Sequence, residues 1–145
     1  MAKTSLESKE IVVRIITEFS EELCQEAAVL FVGAGWIGTV SDGGFLRNAL
    51  PGSCAVAGAF AGDRLVGIAR ALSDGFSDAY IQDVTTLKEF RGNGIGSKLV
   101  TCLIQELQAR GIDWIGLVGV PGTENFYTRL GFDAQKGHTL YLRKM

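Results

Sequence analysis

From residue 91 to residue 97 the chain reads Arg-Gly-Asn-Gly-Ile-Gly-Ser, then runs without a break into an apolar-striped segment that ends at Arg110. Three glycines within five residues, opened by an arginine and followed by a helical pattern, restrict the local fold severely. Glycine has no Cβ, so the main chain can adopt positive φ and come close to a ligand. The first N–H groups of the following helix lack internal partners and lie at the positive end of its dipole. A loop of this kind holds an anion, and a phosphate group above all.

The chain has 145 residues, enough for one compact domain with a substantial core, and we expect a single domain over 1–145 with residues 1–9 flexible. A net charge of −2, with basic residues scattered, gives no electrostatic case for nucleic acid. Nineteen glycines against two prolines do not describe a low-complexity linker. No apolar run is long enough to span a membrane, and the first nine residues contain no apolar segment of a secretory signal. Cys24, Cys54 and Cys102 are far apart and form no CxxC pair. They read as reduced, mostly buried thiols of a cytoplasmic protein, and no metal site is expected.

Residues 10–17 are β-rich and predict a first strand. Ser20, followed by Glu21 and Glu22, is a helix N-cap with acidic residues in the first turn, and Leu23, Ala27, Leu30 and Phe31 continue at helical spacing to about Gly33. Residues 33–53 are irregular, with a short helical turn at 45–50. Apolar runs at 54–61 and 65–72, separated by Gly62-Asp63-Arg64, predict a hairpin, and 78–86 a further strand. The helix after the glycine loop buries Ile95, Leu99, Cys102, Leu103 and Leu107 and stops at Gly111. The apolar run 112–118 predicts a strand covered on both faces, 122–130 a short helix, and Gly131-Phe132 and 139–143 a sixth and a seventh strand. The order is that of a mixed α/β fold without regular β-α alternation.

Spacing narrows the identity of the phosphate. No GxxxxGK[ST] string is present, and Gly92, Gly94 and Gly96 read GxGxG after a strand meander, not GxGxxG inside a βαβ unit. Arg91 with Gly94 and Gly96 resembles the acyl-CoA pyrophosphate loop of the GNAT superfamily of N-acetyltransferases. A second segment, Asn125-Phe126-Tyr127 followed by Leu130-Gly131-Phe132, is similar to that family's C-terminal motif, and 80–90 is similar to its fourth strand. Either motif singly could be a turn or a core helix end; together, in order and between the right elements, they identify the resemblance. It implies a GNAT fold: a central, mixed, mostly antiparallel sheet of six to seven strands, flanked by about four helices, with strands four and five splayed.

The resemblance further implies direct transfer of an acetyl group from acetyl-CoA, a co-substrate, to an amine, without a covalent enzyme intermediate and without a metal. On this basis Arg91, Gly92, Asn93, Gly94, Ile95, Gly96 and Ser97 grip the pyrophosphate, with Lys98 either adding charge or standing in solvent. Val84, Thr85 and Thr86 pair with the pantetheine arm, and a backbone N–H at or beside Val84 polarises the thioester carbonyl. Tyr127 matches the general acid that protonates the departing thiolate, a role suited to a phenol with an ordinary pKa of ~10; the alternative is a buried tyrosine in a local hydrogen bond. Asn125 fits a contact to CoA or a helix cap. Asp83 is the candidate base, directly or through water, and could instead orient the amine or hold a strand bulge. Thr86 stands where the family usually has Val, and Lys88 where it often has Pro. His138 reads as structural or exposed.

The acceptor is expected between the first helix and second strand, with Trp36, Phe45 and Leu46 as candidate walls, together with Gln82 and Tyr141. A near-neutral chain suits a small amine or amino acid better than a polyanion-bound substrate. The other readings are a non-catalytic acyl-CoA sensor and a protein or peptide amine acetyltransferase. The expected partners are the amine acceptor and a second copy in a homodimer, with no nucleic acid and no membrane.

Overall fold

The structure, a computed structural model, describes residues 10–145, so the expected flexibility of residues 1–9 lies outside the described residues. Strand β1 (Ile11–Ile15) leads to helix α1 (Glu21–Gly33), a 3-10 turn over Val40–Phe45 and a one-turn helix α2 (Leu46–Ala49). Strands β2 (Ala55–Ala61), β3 (Arg64–Ser73) and β4 (Asp78–Thr86) follow as a meander. After a 3-10 turn at Lys88–Phe90 come α3 (Ile95–Ala109), β5 (Trp114–Leu117) and α4 (Glu124–Arg129). One five-stranded sheet results, in the order β1-β2-β3-β4-β5, antiparallel throughout except for the parallel β4–β5 pair.

The local signals act as the sequence suggests. Ser20 caps α1 by accepting a hydrogen bond from the Leu23 N–H at 3.1 Å. Gly62 takes φ +62° in the β2–β3 turn. At the end of α3, Gly111 takes φ +82°, and the Ile112 N–H reaches back to the Leu107 carbonyl at 3.0 Å, which satisfies a carbonyl the helix leaves open.

Alternation in β2 builds both layers, because successive side chains of a strand point to opposite faces. Ala55, Ala57, Ala59 and Ala61 join Leu99, Val100, Leu103 and Leu107 of α3 in one buried cluster. Val56 and Phe60 join Leu23, Ala27, Leu30 and Phe31 of α1, with Leu46 and Leu50, in the other. Methyl groups on one face let α3 seat closely on the sheet. Full burial of leucines such as Leu99, Leu103 and Leu107 contributes roughly 1.5–3 kcal/mol each.

Three expectations are corrected. No sixth or seventh strand forms among the described residues. Leu140, Tyr141 and Leu142 are 60%, 87% and 83% exposed, and 139–143 pairs with no other segment, since β propensity cannot supply the partner edge a ladder needs. Strand β5 is shorter than 112–118 and is covered on one face only: Ile115 and Leu117 pack on the α3 side, while Trp114 is half-exposed. The cysteines are free; Cys24 is buried, but Cys54 and Cys102 are only partly so. Among the described residues no helix is long and apolar enough to cross a membrane.

Candidate active site

The parallel pairing of β4 and β5 is short. It runs from Asp78↔Trp114 to Ile81↔Leu117 and then stops, although β4 continues to Thr86. From Gln82 onward β4 therefore keeps only its β3 neighbour, and its other edge is open to an extended guest, the splay that the resemblance implies. Val84 and Thr86 are partly buried on this stretch and Thr85 is buried, at 9% exposure.

The glycine loop lies just beyond that opening. Arg91 donates from Nε to the Thr86 carbonyl at 2.9 Å, which ties the loop to the end of β4. The Asn93 side-chain amide donates to the Phe90 carbonyl at 2.9 Å, which fixes the turn from inside. Gly92 and Gly94 take φ +82° and +74°, a region costly for any residue with a Cβ, and a Cβ at either position would meet nothing within 4 Å. Backbone conformation, not crowding, demands glycine there.

Gly94 is the N-cap of α3 and provides no side-chain cap. The helix ladder begins with the Lys98 N–H bonding the Gly94 carbonyl at 3.2 Å, so the N–H groups of Ile95, Gly96 and Ser97 precede it. No acidic residue occupies the first turn, and Lys98 is exposed beside it. Ile95 is buried at 3% exposure, so its part in anion binding is limited to its backbone. Backbone donors outside the helix ladder, a positive dipole end and no competing carboxylate fit a pyrophosphate.

The two sequence motifs meet at Gly96. A Cβ there would lie 3.3 Å from the Phe126 Cζ, so the absence of a side chain lets α4 pack against the first turn of α3. That contact sets Tyr127 in place. Its ring stands edge-on to Phe126 at 4.9 Å and to Phe132 at 5.9 Å, and lies against Gly119, just past β5. Burial raises the Tyr127 pKa above the ordinary 10.0, so the phenol keeps its proton across the physiological range. Asn125 is exposed at the start of α4, whose N-cap is Thr123; this leaves the Asn125 amide free of the capping role.

Asp83 lies where the β3–β4 register shifts, and it has φ +59°, the one positive φ outside glycine among the described residues. Its carboxylate accepts from Arg70 Nε at 2.5 Å. Sequence reasoning passed over Arg70, yet a signal existed: it is the only charge inside the apolar run Leu65–Leu72, and such a charge requires a partner.

The acceptor candidates are placed unevenly. Trp36 and Phe45 gather around Phe31, at ring separations of 5.0 Å and 6.0 Å, and each is about half-exposed. Leu46 is fully buried in the α1-side core, so it is no pocket wall; the short helix turns it inward. Gln82 is exposed on β4 immediately before the bulge, and Tyr141 and His138 are exposed on the C-terminal segment. Among the described residues no group of three or more His, Cys, Asp or Glu side chains is placed to hold a metal ion.

The sequence profile described as "Acetyltransferase (GNAT) family" matches residues 21–132. An uncharacterized N-acetyltransferase ycf52 from Pyropia yezoensis is 40% identical over 87 residues, covering 57% of this chain and 50% of that protein. A serotonin N-acetyltransferase 2, chloroplastic, from Oryza sativa subsp. japonica is 35% identical over 82 residues, covering 54% of this chain and 41% of that protein. The chain thus spans about half the length, or less, of these relatives. Among solved structures, a GNAT-family acetyltransferase from Streptococcus pneumoniae superposes with a TM-score of 0.75 at 22% identity, covering 94% of this chain and all of that one. An aminoglycoside N-acetyltransferase AAC(6')-Iy in complex with CoA superposes with a TM-score of 0.72 at 14% identity, covering 95% of this chain and 97% of that one.

Proposed function

The chain belongs to the GNAT family of acetyltransferases, and on that premise we propose that it transfers the acetyl group of acetyl-CoA to the primary amine of a small molecule or amino acid. One observation carries this reading: the edge of β4 freed beyond Ile81 is tied through Arg91 and the Thr86 carbonyl to the positive-φ loop at the start of α3, against whose first turn Phe126, the neighbour of Tyr127, packs at Gly96.

In this mechanism the amine attacks the thioester carbonyl directly. Acetyl-CoA, when bound, supplies the activated acyl group and the thiolate leaving group. The backbone N–H groups from Gly92 to Ser97 receive the phosphates, with Arg91, Asn93 and Asn125 at the rim of the loop. The open β4 edge at Val84, Thr85 and Thr86 takes the amide-rich arm as an added strand. A backbone N–H at or beside Val84 faces the thioester oxygen, where one such donor contributes about 3 kcal/mol as negative charge develops. Tyr127, whose phenol burial keeps protonated, gives its proton to the departing sulfur, while the proton that the attacking nitrogen loses passes to solvent water, from which the phenolate is reprotonated.

Trp36, Phe45 and Gln82 are the side chains on the acceptor side. Two half-exposed aromatic rings and a neutral amide suit a small amine with apolar bulk better than a polyanionic partner. An experiment that decides this measures free thiol released from acetyl-CoA across a panel of small amines, amino acids and peptides. Release that depends on a small amine supports the reading. Thiol release only with peptides would move the acceptor to a protein amine, and CoA binding without any release would make the chain an acyl-CoA sensor.

A further inference from the structure

Asp83 holds the least comfortable backbone in the sheet. Ile68 pairs with Thr85 and Arg70 with Gln82, so Asp83 and Val84 together stand opposite Ala69, a bulge of two residues against one. Left-handed backbone at a residue with a Cβ is disfavoured and persists where surrounding contacts over-determine it. The contact that does so here is a single side chain. Arg70 Nε donates to Asp83 Oδ2 at 2.5 Å, with the two side chains only 15% and 23% exposed. Arg70 Nη1 also donates to Ser53 Oγ at 3.3 Å, and that hydroxyl donates to the Ala49 carbonyl at 2.7 Å. One chain of hydrogen bonds therefore runs from the β4 bulge to the last residue of α2, at the end of the irregular segment on the acceptor side.

We propose that Arg70 is a positioning residue: by holding Asp83 in the left-handed conformation and anchoring it through Ser53 to α2, it fixes where the Val84 backbone N–H points. Asp83 then serves as the clamp's carboxylate and not as the acceptor of the amine's proton. The catalytic consequence rests on the acetyltransferase reading above; the structural one does not. Because the bulge places Val84 and the bulge is held from the acceptor side, loss of the clamp lowers kcat more than it raises the KM for acetyl-CoA. The grip on the phosphates, supplied by residues 92–97, is left standing.

The test is a double-mutant cycle in the full chain, with Arg70→Met, which keeps the apolar stem but removes the hydrogen-bonding fork, and Asp83→Gly, which accepts positive φ unaided. Amide hydrogen exchange at Thr85 is followed together with kcat and KM. In the wild-type background, Arg70→Met is expected to speed exchange at Thr85, which pairs with Ile68 beside the bulge, at least tenfold and to lower kcat about tenfold, with the KM for acetyl-CoA within threefold. In the Asp83→Gly background the same substitution changes both by less than twofold. Equal effects of Arg70→Met in the two backgrounds would overturn the proposal. So would a thousandfold fall in kcat for Asp83→Gly with unchanged amide exchange, which would assign proton acceptance to Asp83. Absence of acetyl transfer by the wild type to every amine would defeat the enzymatic reading alone, since the exchange measurements still decide the clamp.

Discussion

Replacing Tyr127 with Phe separates chemistry from packing. The ring is held by two edge-to-face partners, Phe126 and Phe132, at 4.9 Å and 5.9 Å. Such pairs contribute about 0.5–1.5 kcal/mol each, so truncation to Ala forfeits about 1–3 kcal/mol of ring packing before any loss of burial is counted. Phenylalanine retains the ring and both pairs, and stability should change by less than about 0.5 kcal/mol. On the proposed mechanism, what Tyr127→Phe removes is the proton donor. General acid catalysis contributes about 10²–10⁴-fold, which corresponds to about 3–5 kcal/mol of barrier. We therefore expect kcat to fall by about that factor while the KM for acetyl-CoA stays within about threefold, because the phosphate grip is on a different loop. The assay is thiol release under saturating amine, with thermal unfolding run in parallel. Burial raises the phenol pKa above 10.0, so the wild-type donor remains protonated through neutral and mildly alkaline pH, and its ionisation should limit the rate only above pH 10. A Tyr127→Phe rate within twofold of wild type, with unfolding unchanged, would refute the assignment and hand thiolate protonation to water or another group.

Other consequences follow from the same geometry. Gly94→Ala meets no steric obstacle, but φ +74° costs a Cβ-bearing residue about 1–2 kcal/mol, so calorimetry should show the Kd for CoA raised about tenfold; unchanged affinity would mean the loop binds in another conformation. Gly58→Val places a Cβ 2.5 Å from Ile16 Cδ1, an overpacking expected to cost about 1–3 kcal/mol and to lower Tm by about 2–4 °C for each kcal/mol, checked by thermal denaturation. Asp74 accepts from the Ser77 hydroxyl and from the N–H groups of Ser77 and Phe76, which lowers its pKa from 3.8 to about 2. A lowered carboxyl pKa favours the folded hairpin turn fully above pH 3.8 and loses that contribution as pH falls through about 2. A carboxyl NMR titration with its midpoint at 3.8 or higher would contradict this.

What could be read from the sequence, and what could not, divides along a physical line. Ser20, Gly62, Gly94 and Gly111 act within four residues of themselves, through a cap or a positive φ, and each does so where the sequence suggested. The apolar runs 54–61 and 65–72 around Gly62-Asp63-Arg64 predict a hairpin, and β2 and β3 form one, since strand propensity and turn chemistry are also local properties. The segment 139–143 has the same local character, with Leu140, Tyr141 and Leu142 among β-forming neighbours, and it forms no strand. A cap carries its partner with it, whereas a strand depends on an edge supplied elsewhere.

The candidate site shows the same division in its chemistry. Gly96 and Phe126 were each visible as members of separate motifs, but only the fold shows that one packs against the other and so seats α4, with Tyr127 beside Phe126, against the first turn of α3. Asp83 was visible as a carboxylate beside the expected thioester; its partner Arg70, thirteen positions earlier, was not. Residue type alone could not say whether that carboxylate takes up a proton or holds a backbone angle. Its left-handed φ, the register shift at Ala69 and the link through Ser53 to α2 all bear on the backbone angle, and none of them bears on proton transfer. On the proposal above, Asp83 acts on the reaction through where it holds Val84, and the Arg70→Met and Asp83→Gly cycle decides between that role and proton acceptance.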